Sequence, residues 1–375
     1  MKKIFILTAE PSGDKLVSKI ILKLKESKPN IEYLSVGGTY VKALGIRSIY
    51  DLNKVTFLGF TKVLLNVFKI KKKINYTVNE IIRFNPDILF SVDSPDFTLR
   101  IAKKVKEIKP SIKTIHLVAP QVWVWREHRV KKLKKFLDHV LLLFPFEKKY
   151  FDNENIDSTF IGHPLLENSK KKKIDISNII KNNKFPFSIF PGSRSSEIKI
   201  LIPILFKFIK MMNMKYTNFF FIFHCTSEHF QKIENLLLKE DFKNCAAIFD
   251  DKIKSQILES SIFAVAKSGT ISLEICSAKV PSIIIYKMNM INFLILKMLV
   301  KVRFANIVNI LSNKEVIPEL LQSKCNPETI FNTVDKLLNN KEALKDQVLN
   351  SQKIINTFKT DKSSVLASTV LINHL

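Results

Sequence analysis

The sequence predicts an α/β protein of two domains, each built on a parallel β-sheet covered by helices. Its 375 residues exceed what one compact core usually holds. Short apolar runs alternate with amphipathic helical segments, which is the pattern of βαβ units. A polar stretch rich in Lys and Asn interrupts this alternation at residues 168–184, after which the alternation begins again.

The predicted strands follow this alternation in both halves. The first half contains KKIFILTA, IEYLSVGG, DILFSVD, IKTIHLVA and HVLLLFPF, and the second contains FPFSIF, NFFFIFHC, CAAIFD, SIFAVAKSG and VPSIIIY. We therefore assign one Rossmann-like domain to residues 1–167 and another to 168–348, the two facing a cleft. Residues 349–375 are expected to form a terminal helix that packs back on the first domain.

Charge and cysteine content narrow the classes of function. The formal net charge is +26, but only seven of the 60 basic residues are Arg. The lysines either fill solvated faces or favour an anionic partner, such as a phosphorylated ligand or an acidic membrane surface. Scarce Arg and the lack of a recognition motif argue against a nucleic-acid-binding protein. The four cysteines show no C-x-x-C spacing, so neither disulfides nor a zinc site is expected.

Ligands of open α/β sheets bind beyond the carboxyl ends of the strands, so the motifs that follow strands carry the most information. AEPSGD follows the first strand, and Ser12 and Gly13 offer backbone N–H groups where a helix begins. Asp14 is a candidate cap of that helix, and the whole motif is a candidate part of the cleft.

SVDSPDF ends a central strand of the first half with two acids. Pro95 is expected to keep Ser94 extended and to end the strand. Asp93 should then project from the strand end, where a partly apolar cleft would raise its pKa towards that of a general base. Asp96 should lie at the start of the next helix and cap it.

Two motifs in the second half are candidates for a nucleotide site. In FPGSRSSEI, a turn leads to Arg194 at a helix start, which suits a diphosphate; a plain surface Arg is the alternative. Glu197 is a candidate cap of that helix. In KSGTISLEI, a turn of small residues precedes an acid that either binds a ribose diol or faces solvent. The turn residues and this acid are Gly192, Ser193, Ser268, Gly269, Thr270 and Glu274.

Further candidates lie between these motifs. APQVWVWREHR holds Trp123, Arg126 and Arg129; the Arg pair favours an anionic ligand, and core packing is the alternative for one Trp. His163 in IGHP lies near the domain junction and is a candidate cleft residue, whereas His116 is expected to be packed in the core. Paired metal-ligand motifs and a P-loop are absent from the sequence.

Two segments combine apolar residues with lysines, at 55–74 and 290–304. Since no run reaches 18 apolar residues, a transmembrane helix is not expected. The composition is typical of interfacial helices, with an ordinary core-facing helix as the alternative for each.

The set of motifs resembles the lipid-A-disaccharide synthase family. The resemblance runs along nearly the whole chain and rests, in this order, on AEPSGD, SVDSPDF, APQVWVWREHRV, FPFE, FIGHPL, FPGSRSSEI, SGTISLE and NIVNILSNKEVIPELLQ. It implies a GT-B glycosyltransferase that needs no metal or other cofactor. It also implies transfer of 2,3-diacylglucosamine from UDP to 2,3-diacylglucosamine 1-phosphate (lipid X), with inversion to a β(1→6) link and release of UDP.

The resemblance also implies roles for matching positions. Asp93 would be the general base, and Arg194, Glu274 and Asn309 would bind UDP. Family members act in the cytoplasm, peripherally on the anionic inner face of the inner membrane, through a patch that corresponds to residues 57–73. Its apolar members would be Val63, Leu64, Val67 and Phe68. A homodimer is left open, and another UDP-N-acetylglucosamine transferase or an epimerase of the same fold is the alternative function.

Overall fold

A computed structural model describes residues 1–52, 67–119, 130–167, 176, 179–180, 184–290, 293–294, 303–360 and 362–375. Contacts divide the chain into two compact units. The first holds the described parts of Met1–Glu167, Leu294–Lys301 and Phe358–Leu375, and the second holds those of Asn168–Phe293 and Val302–Thr357. Each unit contains one parallel sheet of six strands.

The sheet of the first unit has the strand order β2-β1-β3-β4-β5-β6. Its central strand β3 has the sequence ILFSV and is buried throughout, as expected for a strand with helices on both faces. The strands are β1 (Lys2–Leu7), β2 (Ile31–Val36), β3 (Ile88–Val92), β4 (Lys113–Leu117), β5 (His139–Leu142) and β6 (Ser158–Phe160).

The helices of the first unit connect these parallel strands. Proline occupies the first turn of two of them, where its missing N–H costs nothing. They are α1 (Pro11–Ser27), α2 (Thr39–Ala43), α3 (Val67–Phe84), α4 (Pro95–Ile108), α5 (Val130–Leu133) and α6 (Lys148–Asp152), with 3₁₀ turns at Pro145–Glu147 and Pro164–Leu166.

The sheet of the second unit has the order β12-β11-β10-β7-β8-β9. Phenylalanines of its central strands pack on one another; the ring centroids of Phe187 and Phe221 lie 5.1 Å apart. The strands are β7 (Phe185–Phe190), β8 (Phe219–His224), β9 (Cys245–Ile248), β10 (Phe263–Lys267), β11 (Ser282–Tyr286) and β12 (Glu319–Leu321). The helices are α7 (Ser195–Lys215), α8 (Ser227–Lys239), α9 (Asp251–Ser260), α10 (Ile271–Ser277), α11 (Ile307–Ser312), α12 (Pro327–Leu338) and α13 (Lys341–Asn356), with a 3₁₀ turn at Gln322–Lys324.

The C-terminal segment returns to the first unit through Phe358 and helix α14 (Ser363–Asn373), which packs against α1. Gly162 has φ +75°, and a Cβ there would clash with Thr360 and with the carbonyl oxygen of Phe358, so the close crossing requires glycine. The sequence predicted that the segment returning to the first unit begins at residue 349. In the structure it begins at Phe358, because α13 packs against α10, α11 and α12 in the second unit.

Each sheet has one point where the crossover connections diverge in opposite directions. In the first unit, β1 leads outwards to β2 and its neighbour β3 leads to β4. In the second unit, β7 leads to β8 and its neighbour β10 leads to β11. A crevice opens beyond the carboxyl ends of such strand pairs, and ligands of this fold class bind there. The motifs AEPSGD and DSPD follow β1 and β3, and PGSR and SGT follow β7 and β10.

Candidate active site

Asp93 lies at the divergence point of the first unit, directly after β3. Its side chain is half-buried, and its Oδ1 accepts the backbone N–H of Ser94 at 2.7 Å. Its own backbone N–H donates to the carbonyl of Leu117 on the neighbouring strand at 3.0 Å, and the hydroxyl of Thr98 donates to its carbonyl. The backbone N–H and the carbonyl of Asp93 are therefore both fixed by hydrogen bonds, and its carboxylate is held at the strand end by the N–H of Ser94.

The backbone around this carboxylate is strained. Asp93 and Ser94 both adopt left-handed conformations, with φ 51° and 46°. Val118, which follows the neighbouring strand β4, has φ 73°, a conformation that is rare for a β-branched residue. Such residues cost about 1–3 kcal/mol each and cluster at functional sites. Three left-handed residues thus lie at the adjoining strand ends where the sequence placed the general base.

Gly13 brings the first turn of α1 close to Asp93. A Cβ on Gly13 would lie 3.4 Å from Val92 Cγ1 and 3.8 Å from Asp93 Cβ, which is ordinary van der Waals contact. The adjacent Ser12 is half-buried. The structure thus unites the AEPSGD and SVDSPDF motifs, as expected for loops at a divergence point.

Three predictions for these motifs need correction. Ser94 is left-handed rather than extended, and it occupies the N-cap position of α4 without a side-chain capping bond. Asp96 is an exposed residue of the first turn, where a negative charge favours the helix dipole, and it is not the cap. Asp14 does not cap α1 either. Its buried carboxylate accepts the backbone N–H groups of Gly38 at 2.7 Å and Tyr40 at 2.8 Å, so it caps α2 instead.

Asp14 is therefore a structural residue. Burial raises its pKa, although the backbone N–H groups of Gly38, Tyr40 and Val41 and the charge of Lys42 oppose that shift. Because α2 follows β2, this carboxylate ties the first turn of α1 to the end of a neighbouring strand. Asp14 thereby supports the position of Ser12 and Gly13 in the same turn.

His163 is buried rather than presented to a cleft. It is 2% exposed, and its Nδ1 accepts the backbone N–H of Leu165 at 3.3 Å, which caps a 3₁₀ turn. Burial, and then the charge of Lys19, lower the pKa of His163 to about 3, so the ring is neutral at physiological pH. His116 is also buried, as predicted, with Nδ1 2.8 Å from the hydroxyl of Ser91.

Some predicted residues lie outside the described ranges. These are Trp123, Arg126, Arg129, Val63 and Leu64, together with the side chain of Val67. Phe68 is described; it lies near the start of α3 and is 83% exposed. None of the helices in the described ranges combines the length and hydrophobicity that a bilayer span requires.

The divergence point of the second unit carries a cluster of charges centred on Glu197. Gly192 has φ +105°, and a Cβ there would lie 2.5 Å from Glu197 Oε2, so this carboxylate packs directly over the turn. The same oxygen accepts the N–H of the exposed Ser193 at 3.3 Å. Glu197 Oε1 contacts Arg194 Nη1 at 3.2 Å and Lys267 Nζ at 2.9 Å. Glu197 thus fixes the turn before its own helix by binding a backbone N–H that precedes the helix, but it does not cap the helix as predicted, because Arg194 occupies the N-cap position.

The SGT turn completes this edge of the sheet. The N–H of Ser268 donates to Ile285 at 3.1 Å, and its hydroxyl donates to the carbonyl of Ala305 at 2.8 Å. Gly269 and Thr270 are exposed, and α10 begins immediately after them. Glu274 lies half-buried on α10. The structure therefore brings Arg194 and the SGT turn to one edge, at the ends of adjacent strands.

Asn309, to which the resemblance gives a role in binding UDP, is enclosed in a network of hydrogen bonds within the protein. The side chain is fully buried and uses all four of its hydrogen-bonding positions. Its amide group donates to the carbonyl of Ile317 at 2.7 Å and to Glu319 Oε1 at 2.8 Å, and its Oδ1 accepts the N–H groups of Val316 and Ile317, both at 2.9 Å.

The network continues from Glu319 to the SGT turn. Glu319 also accepts the backbone N–H groups of Ala305 and Asn306, each at 2.8 Å, and Ala305 in turn accepts the hydroxyl of Ser268. Asn309 is therefore linked to the SGT turn through Glu319 and Ala305, and its own side chain is fully buried.

We expect Asn309→Ala to act on stability first. The change leaves buried partners without hydrogen bonds, at about 1–3 kcal/mol per group, so the free energy of unfolding should fall by about 3–5 kcal/mol. Urea denaturation measures this loss. The surface variant Asn235→Ala, at an exposed position of α8, is the matched control and should stay within about 0.5 kcal/mol of wild type. Unchanged stability with weakened UDP binding would restore the direct role in binding.

Comparison with known proteins decides the family. A family model described as lipid-A-disaccharide synthetase matches residues 4–372. The chain belongs to the lipid-A-disaccharide synthase family. The relatives named lipid-A-disaccharide synthase include that of Rickettsia typhi, 34% identical over 378 residues with 99% of each chain covered, and that of Rickettsia prowazekii, 33% identical with the same coverage. The protein is therefore a glycosyltransferase of lipid A biosynthesis.

Solved structures show the fold that this synthase family member shares. UDP-GlcNAc 2-epimerase from Neisseria meningitidis bound to UDP-GlcNAc matches with a TM-score of 0.65 and 13% identity, covering 100% of both chains. Spinosyn rhamnosyltransferase SpnG complexed with thymidine diphosphate matches with a TM-score of 0.62 and 10% identity, covering 99% and 100%. At these identities the likeness establishes the α/β GT-B architecture and leaves the reaction to the family.

Sequence reasoning gave no role to two residues of the cluster around Glu197 in the second unit, Lys267 and Tyr286. Burial, and then the charge of Glu197, raise the pKa of Tyr286, whose ring centroid lies 5.3 Å from Lys267 Nζ. Lys267 is the residue before SGT, so its position at a strand end was the available signal. Within the described residues, no group of three or more His, Cys, Asp or Glu side chains is arranged to hold a metal.

Proposed function

We propose that the protein joins UDP-2,3-diacylglucosamine to 2,3-diacylglucosamine 1-phosphate, giving the β(1→6)-linked disaccharide 1-phosphate and UDP. Membership of the lipid-A-disaccharide synthase family carries the reaction class. The observation that carries the mechanism is the strained, fixed carboxylate of Asp93 at the divergence point of the first sheet.

Asp93 serves as the general base in this proposal. Its carboxylate takes the proton from the 6-hydroxyl of the acceptor as that oxygen attacks C1 of the donor sugar. The bond between C1 and the diphosphate oxygen breaks on the opposite face, so the anomeric centre inverts. The electrons of that bond leave with UDP. A carboxylate with a rigid backbone suits this step, because the base must be oriented before the proton moves.

The second unit binds the leaving nucleotide. Charge that develops on the diphosphate needs cations or N–H groups that are already in place. Arg194, held by Glu197, provides a planar fork for a phosphate, and the exposed Gly269 and Thr270 of the SGT turn would provide backbone N–H groups at the adjacent strand end. Glu274 would accept hydrogen bonds from the ribose. These groups would carry the leaving-group charge without a metal ion.

The test is a reconstituted assay with both lipid substrates. Purified protein should form the disaccharide from UDP-diacylglucosamine only when lipid X is present, and EDTA should leave the rate unchanged. The alternative enzymes of this fold are tested with UDP-N-acetylglucosamine alone or with other acceptors. Formation of an epimerised UDP-sugar would refute the proposed reaction. Failure of folded wild-type protein to form any disaccharide would refute it as well.

We also propose that the protein works in the cytoplasm, on the inner face of the inner membrane, through the start of α3. Phe68 is exposed there and is followed by the exposed residues Lys69, Lys71 and Lys72. Ile74, further along the same helix, is buried in the core of the first unit and anchors the helix. An exposed aromatic ring among lysines suits an anionic lipid surface, where both acylated substrates reside.

Phe68→Ser should weaken binding to vesicles that contain anionic lipid by about ten- to hundredfold, since burial of a Phe side chain is worth about 1.5–3 kcal/mol. Co-sedimentation measures the bound fraction. Met214→Ser is the matched control, because Met214 is 88% exposed but lies on α7 of the second unit. Equal effects of the two variants, or none, would place the membrane contact elsewhere.

A further inference from the structure

Lys267 occupies a notable position in the second unit. It is the last residue of β10, next to the SGT turn, and its Nζ lies 2.9 Å from Glu197 Oε1. Arg194 Nη1 lies 3.2 Å from the same oxygen. Two cationic groups from different strand ends therefore meet at one carboxylate oxygen, at the point where the second sheet diverges.

Burial distinguishes this lysine from the many that coat the surface. Its side chain is 15% exposed and that of Glu197 is 9% exposed. A charge in such surroundings requires a partner, and electrostatic attraction is stronger there than in bulk water. The ring of Tyr286 lies beside the ammonium group and confines it on another side. Lys267 is thus held at the ligand edge rather than free to sample solvent.

The chemistry of the two cations is complementary. The planar guanidinium of Arg194 can grip one phosphate through two parallel hydrogen bonds, whereas an ammonium group acts as a compact point charge. A diphosphate presents two adjacent phosphates with separate charges, so an Arg and a Lys side by side match it better than either alone. Glu197 keeps both groups in place before a ligand arrives.

We propose that Lys267 is a further diphosphate-binding residue, which supplies the second positive charge for the UDP group of the sugar donor. This assignment rests on the proposed function, and it adds a residue to which neither the motifs nor the comparisons give a role. Lys267 then stabilises bound UDP-sugar and, more strongly, the charge that gathers on UDP as the sugar bond breaks.

The test compares UDP with uridine, which lacks phosphates. Lys267→Gln should weaken UDP binding by roughly ten- to hundredfold, as expected for the loss of a charge-assisted hydrogen bond, and should lower kcat. Uridine affinity should stay within about twofold of wild type. Lys267→Arg, which keeps the charge, should retain most of the UDP affinity. Calorimetry measures UDP binding, and saturation-transfer NMR measures uridine binding.

The control removes a lysine of the same unit that also forms an ion pair. Lys210 contacts Glu240 at 2.7 Å on an exposed surface, so Lys210→Gln changes the net charge equally but should leave UDP affinity unchanged. If Lys267→Gln does not fold, Lys267→Met, which keeps an apolar chain of similar length, is subject to the same expectations.

The outcomes separate the assignment from the reaction. Equal losses of UDP and uridine affinity would show that Lys267 only supports the fold, and unchanged UDP affinity would show that it does not contact the diphosphate; either overturns the assignment. Wild-type protein that binds UDP in a Lys267-dependent manner but forms no disaccharide would overturn the proposed reaction and leave the assignment standing.

Discussion

Asp93→Asn should lower kcat by about 10²–10⁴-fold, the usual contribution of a general base. Asparagine keeps the shape of the side chain, tolerates the left-handed backbone, and can still accept the N–H of Ser94, so the loop should remain intact. What it loses is the ability to take the proton of the attacking hydroxyl. The dissociation constant for UDP should stay within about twofold of wild type, because UDP binding is assigned to the second unit.

Steady-state kinetics with both lipid substrates, together with calorimetry for UDP, measures the effect of Asp93→Asn. Asp96→Asn is the matched control, since Asp96 is an exposed carboxylate only three residues away on the same loop and helix. Its kcat should remain within about twofold of wild type. If both variants retain activity, or if Asp96→Asn has the larger effect, Asp93 is not the base.

The strand pattern made much of the fold predictable. All ten predicted apolar runs contain strands. Central strands such as β3 and β8 are buried throughout, and a strand buried on both faces needs an uninterrupted apolar sequence. The two strands that were missed, β6 and β12, have three residues each and lie at sheet edges. A segment that short gives no recognisable period, and partner strands define it more than its own composition does.

The site was predictable to the extent that it follows from strand ends. Parallel strands gather their carboxyl ends at one edge, so the neighbours Gly13 and Asp93, and likewise Arg194 and the SGT turn, follow from topology. The partners of buried carboxylates do not follow from it. Asp14 binds the N-terminus of a helix 24 residues away in sequence. Such pairs depend on how loops fold back, which local sequence patterns do not encode.

The strained conformation of Asp93 and Ser94 illustrates the same limit. Sequence rules favour an extended residue before proline, and they predicted that geometry for Ser94. The tertiary contacts of the loop override the local preference: Leu117 fixes the N–H of Asp93, and Thr98 binds the carbonyls of both residues. The departure from the local rule falls at the residue assigned as the base, where stored strain is expected to have a function.

Arg194→Ala should weaken UDP binding and lower the rate together. The guanidinium is assigned to the diphosphate both in the bound donor and in the transition state, so its loss affects ground-state affinity as well as kcat. Removing one preorganised donor to a developing charge costs about 10²–10³-fold in kcat. Lys267 still pairs with Glu197 in this variant, so the turn over Gly192 should keep its shape. The UDP affinity and kcat of Arg194→Lys should fall between those of wild type and those of Arg194→Ala, since lysine keeps the charge but loses the planar fork.

Kinetics and UDP calorimetry on the Arg194 variants should be paired with Lys207→Ala. Lys207 is an exposed cation on α7, the helix that begins directly after Arg194, and its loss should leave UDP affinity and kcat within about twofold of wild type. The comparison distinguishes a specific contact from the general attraction of a chain with net charge +26 for an anion. General attraction would make the variants lose affinity equally and would disappear at high salt, because exposed charges are screened within a Debye length. A specific, partly buried fork keeps the difference between Arg194→Ala and Lys207→Ala as salt increases. An unchanged UDP affinity in Arg194→Ala would remove this residue from the site.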